Sequence, residues 1–133
     1  MTLYEEEHLR VVEAMRFRLT TRSSSPDVYV IAVEGELDLF RTQALKDVFL
    51  DLVGRDARAI VIDLGRTTLL DSTALALLMT LPRLMEPGGL LVVACDNAHI
   101  RKTFEITGTD RRLTVVEEVR GALERVDQQL RAA

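Results

Sequence analysis

The sequence predicts an α/β fold, a mostly parallel mixed sheet of about five strands with about four helices in the order β-β-α-β-α-β-α-β-α. Three observations predict it. Ser23-Ser24-Ser25-Pro26-Asp27 is a turn cluster flanked by two strand-like runs, the mark of an antiparallel pair. Ala59-Ile60-Val61-Ile62-Asp63-Leu64 is a continuous apolar run closed by an acid, as in a buried parallel strand. Beyond the first pair, strand-like and helix-like runs alternate, which implies parallel pairing through right-handed crossovers.

Each element has its own signal. Phe17-Arg18-Leu19-Thr20 alternates apolar and polar residues, as a half-buried strand does. Val28 to Val33 is dense in β-branched and aromatic residues and reads as its partner, with Gly35 expected to end it. Thr42 to Val53 places Ala44, Leu45, Val48, Phe49 and Leu52 at helical spacing, with Gly54 as the expected stop. Ser72 to Met85 is rich in Ala, Leu and Met and reads as a largely buried helix whose last turn Pro82 should bend or shorten. Leu90 to Cys95 is the next strand. A helix over 97–107 carries Ile100, Phe104 and Ile106 and stops at Gly108, a short strand spans 113–116, and a helix over 118–130 buries Val119, Ala122, Leu123, Val126 and Leu130.

At 133 residues the chain is the size of one domain, placed at residues 15–133, with residues 1–14 as an N-terminal extension. Thr2 and Glu5 have capping-box spacing, and Tyr4, His8, Val11, Val12 and Met15 fit one helical face, so an extra N-terminal helix is compatible with the sequence. Homodimerisation through this extension is left open.

Lys and Arg number 17 against 21 Asp and Glu, a formal charge of -4 without a basic cluster, which argues against direct nucleic-acid or anionic-membrane binding. The single cysteine, Cys95, excludes an internal disulfide and reads as a buried strand thiol. The acidic start lacks the basic and apolar regions of a signal peptide, and no apolar run approaches the roughly 20 residues of a membrane helix. A reducing, cytoplasmic location is the expectation.

Ligands and partners of an open α/β sheet favour the carboxyl ends of its strands. Two loops there carry chemistry: 34–39, with Glu36, Asp38 and Leu39, and 63–73, with Asp71, Ser72 and Thr73. Asp71-Ser72-Thr73 stands just before a helix, so one reading is a helix N-cap. The other is a hydroxyl exposed at the sheet's functional edge. A phosphate there adds about -1.5 to -2 charges, which the helix N-terminus favours and Asp71 and Asp38 oppose. No metal-ligand spacing surrounds His8 or His99, and no nucleophile elbow, P-loop or dinucleotide fingerprint is present. The sequence thus indicates no enzyme, no cofactor and no metal. Arg101-Lys102 and Arg111-Arg112 read as solvated charges.

Val33-Glu34-Gly35-Glu36-Leu37-Asp38 followed by a helix resembles the G-E-L-D segment of STAS domains. Ile62-Asp63-Leu64 followed by Leu70-Asp71-Ser72-Thr73-Ala74-Leu75 resembles their phosphorylation segment, and the strand and helix after Pro87-Gly88-Gly89 match in order and spacing, over roughly residues 15–128. The resemblance implies an anti-sigma factor antagonist. Such a protein binds an anti-sigma factor, often a serine kinase of the histidine-kinase-like ATPase superfamily, and so frees a sigma factor for transcription. Phosphorylation of the serine matching Ser72, with Thr73 as second choice, releases the partner, and a cognate phosphatase resets the switch. Glu36, Asp38, Leu39, Asp71, Ser72, Thr73 and Ala74 would form the partner-binding face. Ala74 stands where many members have glycine, and a methyl there narrows a partner's approach. The alternative is a phosphorylation-independent STAS docking subunit of an ABC lipid transporter or a stressosome-like assembly.

Overall fold

The turn cluster folds as a tight hairpin: Pro26 and Asp27 reverse the chain between β2 (Phe17–Ser25) and β3 (Val28–Leu37), with Asp27 in the left-handed region at φ 64°. The computed structural model describes residues 10–14 and 17–132. After β3 come α1 (Thr42–Gly54), β4 (Ala59–Leu70), α2 (Ser72–Thr80), β5 (Leu90–Ala94), α3 (Ala98–Thr107), β6 (Thr114–Val116) and α4 (Val119–Ala132). Short 3-10 turns at Leu81–Leu84 and Thr109–Arg111 follow α2 and α3.

Spatial order follows chain order, β1-β2-β3-β4-β5-β6. The first two pairings are antiparallel and the last three parallel, the mixed sheet expected. The added strand is β1 (Arg10–Ala14), paired with β2 from Arg10↔Thr21 to Ala14↔Phe17. Residues 10–14 are therefore extended rather than helical. The free edge of β2 offers a ladder of backbone hydrogen bonds that a short helix of marginal stability cannot match. Tyr4, His8 and Met15 lie outside the described residues.

Helices α1, α2 and α3 bury one face of the sheet. Their Leu45, Phe49, Leu78 and Phe104 pack with Leu19, Ile31, Val33, Ile60, Ile62 and Val93 from the strands. The other face is smaller: Val28, Val30, Ala59, Val61, Val92 and Ala94 lie under Ala122 and Val126 of α4, with Val119, Leu123 and Leu130 partly buried around them. Ala59 to Ile62 are completely buried because both layers press on β4 there, the physical origin of its uninterrupted apolar run. On β2 only alternate residues are buried, Phe17, Leu19 and Thr21.

Two boundaries depart from the sequence reading. Gly35 does not end β3; it sits at φ 95° between two register irregularities, and the strand runs on to Leu37. Only glycine takes this conformation without strain, so it lets the ladder resume instead of stopping it. β4 likewise continues from Leu64 to Leu70. Helix α1 does end at Gly54, but the left-handed residue that closes it is Asp56 at φ 63°, and Ala57 N–H returns to the Leu52 carbonyl. Pro82 acts as expected, since α2 ends at Thr80 and the chain tightens into a 3-10 turn.

Candidate functional site

Because β5 ends at Ala94, opposite Asp63, the last seven residues of β4 run past it with β3 alone beside them. Much of what reads as loop in the sequence, Glu34 to Leu37 and Asp63 to Leu70, is thus a two-stranded parallel ribbon projecting from the carboxyl edge. Two interior bonds hold it. Buried Thr67 donates its hydroxyl to the Val33 carbonyl at 2.8 Å, and Asn97 Nδ2 donates to the Thr67 carbonyl at 3.2 Å. Asn97 Oδ1 accepts from the His99 and Ile100 N–H groups and so caps α3.

At the end of the ribbon Leu37 pairs with Leu70, and the chains diverge into the two segments singled out in the sequence. Asp71 joins them. Its Oδ1 accepts from Ala74 N–H at 2.9 Å, making it the N-cap of α2, while its Oδ2 accepts from Leu39 N–H at 2.9 Å across the gap. Asp38 organises its own turn: its Oδ1 accepts from the N–H groups of Phe40 and Arg41, each at 3.1 Å, and its Oδ2 meets the Arg41 guanidinium at 2.7 Å. Arg41 also lies 3.9 Å from the Glu36 carboxylate and 5.8 Å from the centre of the Phe17 ring.

The cap of α2 is therefore Asp71, and Ser72 is the first helical residue, exposed, with its hydroxyl outside every hydrogen bond among the described residues. Thr73 is half-buried. The structure brings Glu36, Asp38, Leu39, Asp71, Ser72 and Thr73 to this one edge. Ala74 is completely buried in the larger core, so its methyl points inward, away from any docking surface, and only its N–H takes part through Asp71.

Sequence reasoning missed Phe40, which is 84% exposed beside Leu39 at 58%, and Leu69 at 45% across the ribbon. A signal existed: Leu39-Phe40 falls outside the stripe of Ala44, Leu45, Val48, Phe49 and Leu52 that faces the core. Acids dominate here. Arg41 lies against Glu36 and Asp38, Asp71 adds a third carboxylate that binds backbone N–H groups, and Glu34 pairs with Arg66 at 3.8 Å.

The remaining candidates lie elsewhere. His99 is exposed on α3, and Cys95 is buried, which pushes its thiol pKa up. Among the described residues no group of three or more His, Cys, Asp or Glu has metal-binding geometry. No described helix is long and apolar enough to cross a membrane.

Residues 20–118 match a family model described as "Mlab, STAS domain". A search of curated proteins finds no match. Among solved structures, an anti-sigma factor antagonist from Mycobacterium paratuberculosis superposes with a TM-score of 0.75 at 25% identity, over 82% of this chain and 94% of that one. The anti-sigma factor antagonist SpoIIAA in its unphosphorylated form gives 0.65 at 19% identity, over 82% and 97%. The phosphorylated form of SpoIIAA, a Bacillus cell fate determinant, gives 0.63 at 20% identity, over 81% and 98%. The last two likenesses are of fold.

Proposed function

The chain belongs to the STAS-domain family, and on that premise we propose that it is an anti-sigma factor antagonist switched by phosphorylation of Ser72. Unmodified, it binds an anti-sigma factor of the serine-kinase type through Glu36, Asp38, Leu39, Asp71, Ser72 and Thr73, and the sigma factor is freed. The kinase's ATP then supplies a phosphoryl group: Ser72 Oγ gives up its proton, bonds to the γ-phosphorus, and ADP leaves. The observation that carries this reading is the division of labour at α2, where Asp71 takes the capping role and leaves the Ser72 hydroxyl exposed and, among the described residues, unengaged.

The energetics favour a switch that acts on docking and spares the fold. A phosphate of about -1.5 to -2 charges at the first helical position gains up to about 1 kcal/mol from the helix N-terminus, and Asp71 and Asp38 oppose it. Under a docked partner the same group is a buried charge, and an unpaired buried charge costs far more. The protein itself works by binding, in the cytoplasm; ATP and its metal belong to the kinase, and a cognate phosphatase restores the binding form.

The test is in vitro phosphorylation with ATP by the anti-sigma kinases of the source organism, followed by fragment-ion mapping. Label on Ser72 that disappears in Ser72→Ala is the expected result. Label persisting on Thr73 moves the switch by one residue, and absence of label with every such kinase refutes the reading. A second reading, a phosphorylation-independent docking subunit of a transporter or stressosome-like assembly, is favoured by one observation: the matching family description names a STAS domain without any sigma-factor system. Co-purification with a transporter ATPase, with Ser72 unmodified, is its signature.

A further inference from the structure

Large apolar side chains at the surface cluster at the ribbon tip. Of the five that are strongly exposed among the described residues, three (Leu39, Phe40 and Leu69) sit within the segments that Asp71 ties together. An aromatic ring 84% exposed is unfavourable in water unless something covers it. The backbone that carries this ring is held in place. The backbone N–H groups of Phe40 and Arg41 are fixed by Asp38, the Leu39 N–H by Asp71, and the Leu39 carbonyl accepts from the Thr42 hydroxyl at 3.0 Å. The tip is thus a braced turn that presents two adjacent apolar side chains outward.

Around it stands an acidic rim of Glu36, Asp38 and Asp71, only partly offset by Arg41. A second copy of this chain would bring the same acids against them, and like charges oppose such a contact. We infer that Phe40, with Leu39 and Leu69, is the apolar anchor of the docking surface, and that it inserts into an apolar pocket rimmed by Arg or Lys on the anti-sigma factor. This inference rests on the antagonist reading. It adds a residue outside the Ser72 segment that carries a large share of the affinity, and it explains why a charge on neighbouring Ser72 would be effective: it would lie beside the ring's point of entry.

The experiment measures binding of the full-length protein to each purified anti-sigma factor of its own organism, by biolayer interferometry, for wild type, Phe40→Ala and Ile106→Ala. Ile106 is a control, an equally bare apolar residue (74% exposed) near the far end of α3 from its cap, Asn97. Loss of a central aromatic anchor corresponds to about thirtyfold or more in Kd. The expected result is that loss for Phe40→Ala, less than about twofold for Ile106→Ala, an unchanged circular dichroism spectrum, and weaker wild-type binding as salt screens the rim. If wild type binds and Phe40→Ala binds within about twofold of it, the anchor is overturned while the antagonist reading stands. If wild type binds none of the anti-sigma factors, the antagonist reading falls and takes the anchor with it. If wild type dimerises in light scattering and Phe40→Ala is monomeric, the occupant is a second copy, and the inferred partner is wrong.

Discussion

Replacing Asp71 by alanine removes two hydrogen bonds at once, and the structure allows the cost to be worked out. The bond to Ala74 N–H is an N-cap, worth about 1 kcal/mol. The bond to Leu39 N–H has a carboxylate acceptor, but it lies at the surface, where water replaces it in part, so about 1 kcal/mol is again reasonable. Together they amount to about 2 kcal/mol. At about 2.1 cal/mol/K of unfolding entropy per residue, a chain of 133 residues loses about 7 °C in Tm. Asp71→Asn keeps one carbonyl acceptor and should lose about half as much. Ser72→Ala removes no hydrogen bond found among the described residues and should move stability by less than about 0.5 kcal/mol. Urea unfolding followed by circular dichroism measures all three. A Ser72→Ala loss equal to that of Asp71→Ala would mean that the serine is the cap and that the division of labour at α2 is misassigned.

Two buried threonines should respond with opposite signs to the same change. Thr67→Val strands the Val33 carbonyl and should cost about 1–2 kcal/mol, whereas Thr21→Val removes a buried hydroxyl with no partner among the described residues and should be neutral or stabilising by up to about 1 kcal/mol, both read from urea midpoints. Burial holds the Cys95 thiol above its ordinary value of about 9, so the unfolded chain ionises first as pH rises and binds fewer protons. Its stabilising contribution is complete at neutral pH and is lost through the alkaline range. Stability should therefore decline above about pH 9, less steeply in Cys95→Ala, and Ellman's reagent should label wild type only as fast as it unfolds. Ser72→Asp should leave Tm within about 2 °C and weaken anti-sigma factor binding; a large fall in Tm would instead make position 72 structural.

The fold was legible wherever burial imposes a period. β4 between Ala59 and Ile62, α1 through Leu45, Val48, Phe49 and Leu52, and α4 through Ala122 and Val126 all announce themselves because a packed layer selects apolar residues at fixed spacing. Strand β1 was not legible, since an edge strand is chosen by the open ladder of β2, a tertiary fact. The ribbon was hidden for a related reason: Glu34 to Leu37 and Arg66 to Leu70 pair with each other while several of their side chains meet water, so no apolar run marks them. At the site the acids and the serine stand out by type. Their roles do not, because choosing between Asp71 and Ser72 as the cap depends on where the helix begins, which can shift by a residue without disturbing its apolar stripe. Phe40 was overlooked because it falls between the acidic segment that ends at Leu39 and the helical run that begins at Thr42.

Asp71 and Asn97 act in series. One carboxylate fastens the turn after β3 to the start of α2, and one amide fastens β4 to the start of α3, so three successive connections at the carboxyl edge are sewn together by two side chains. The consequence concerns entropy. A surface made of separate loops must give up conformational freedom when a partner arrives, at about 0.5–1.5 kcal/mol for each side chain immobilised, besides the backbone cost. Here much of that freedom was surrendered when the chain folded. Docking can then proceed close to rigid-body association, at rates of about 10⁵–10⁷ M⁻¹s⁻¹ set by diffusion and orientation, and a change of charge at the edge can appear mainly as faster dissociation.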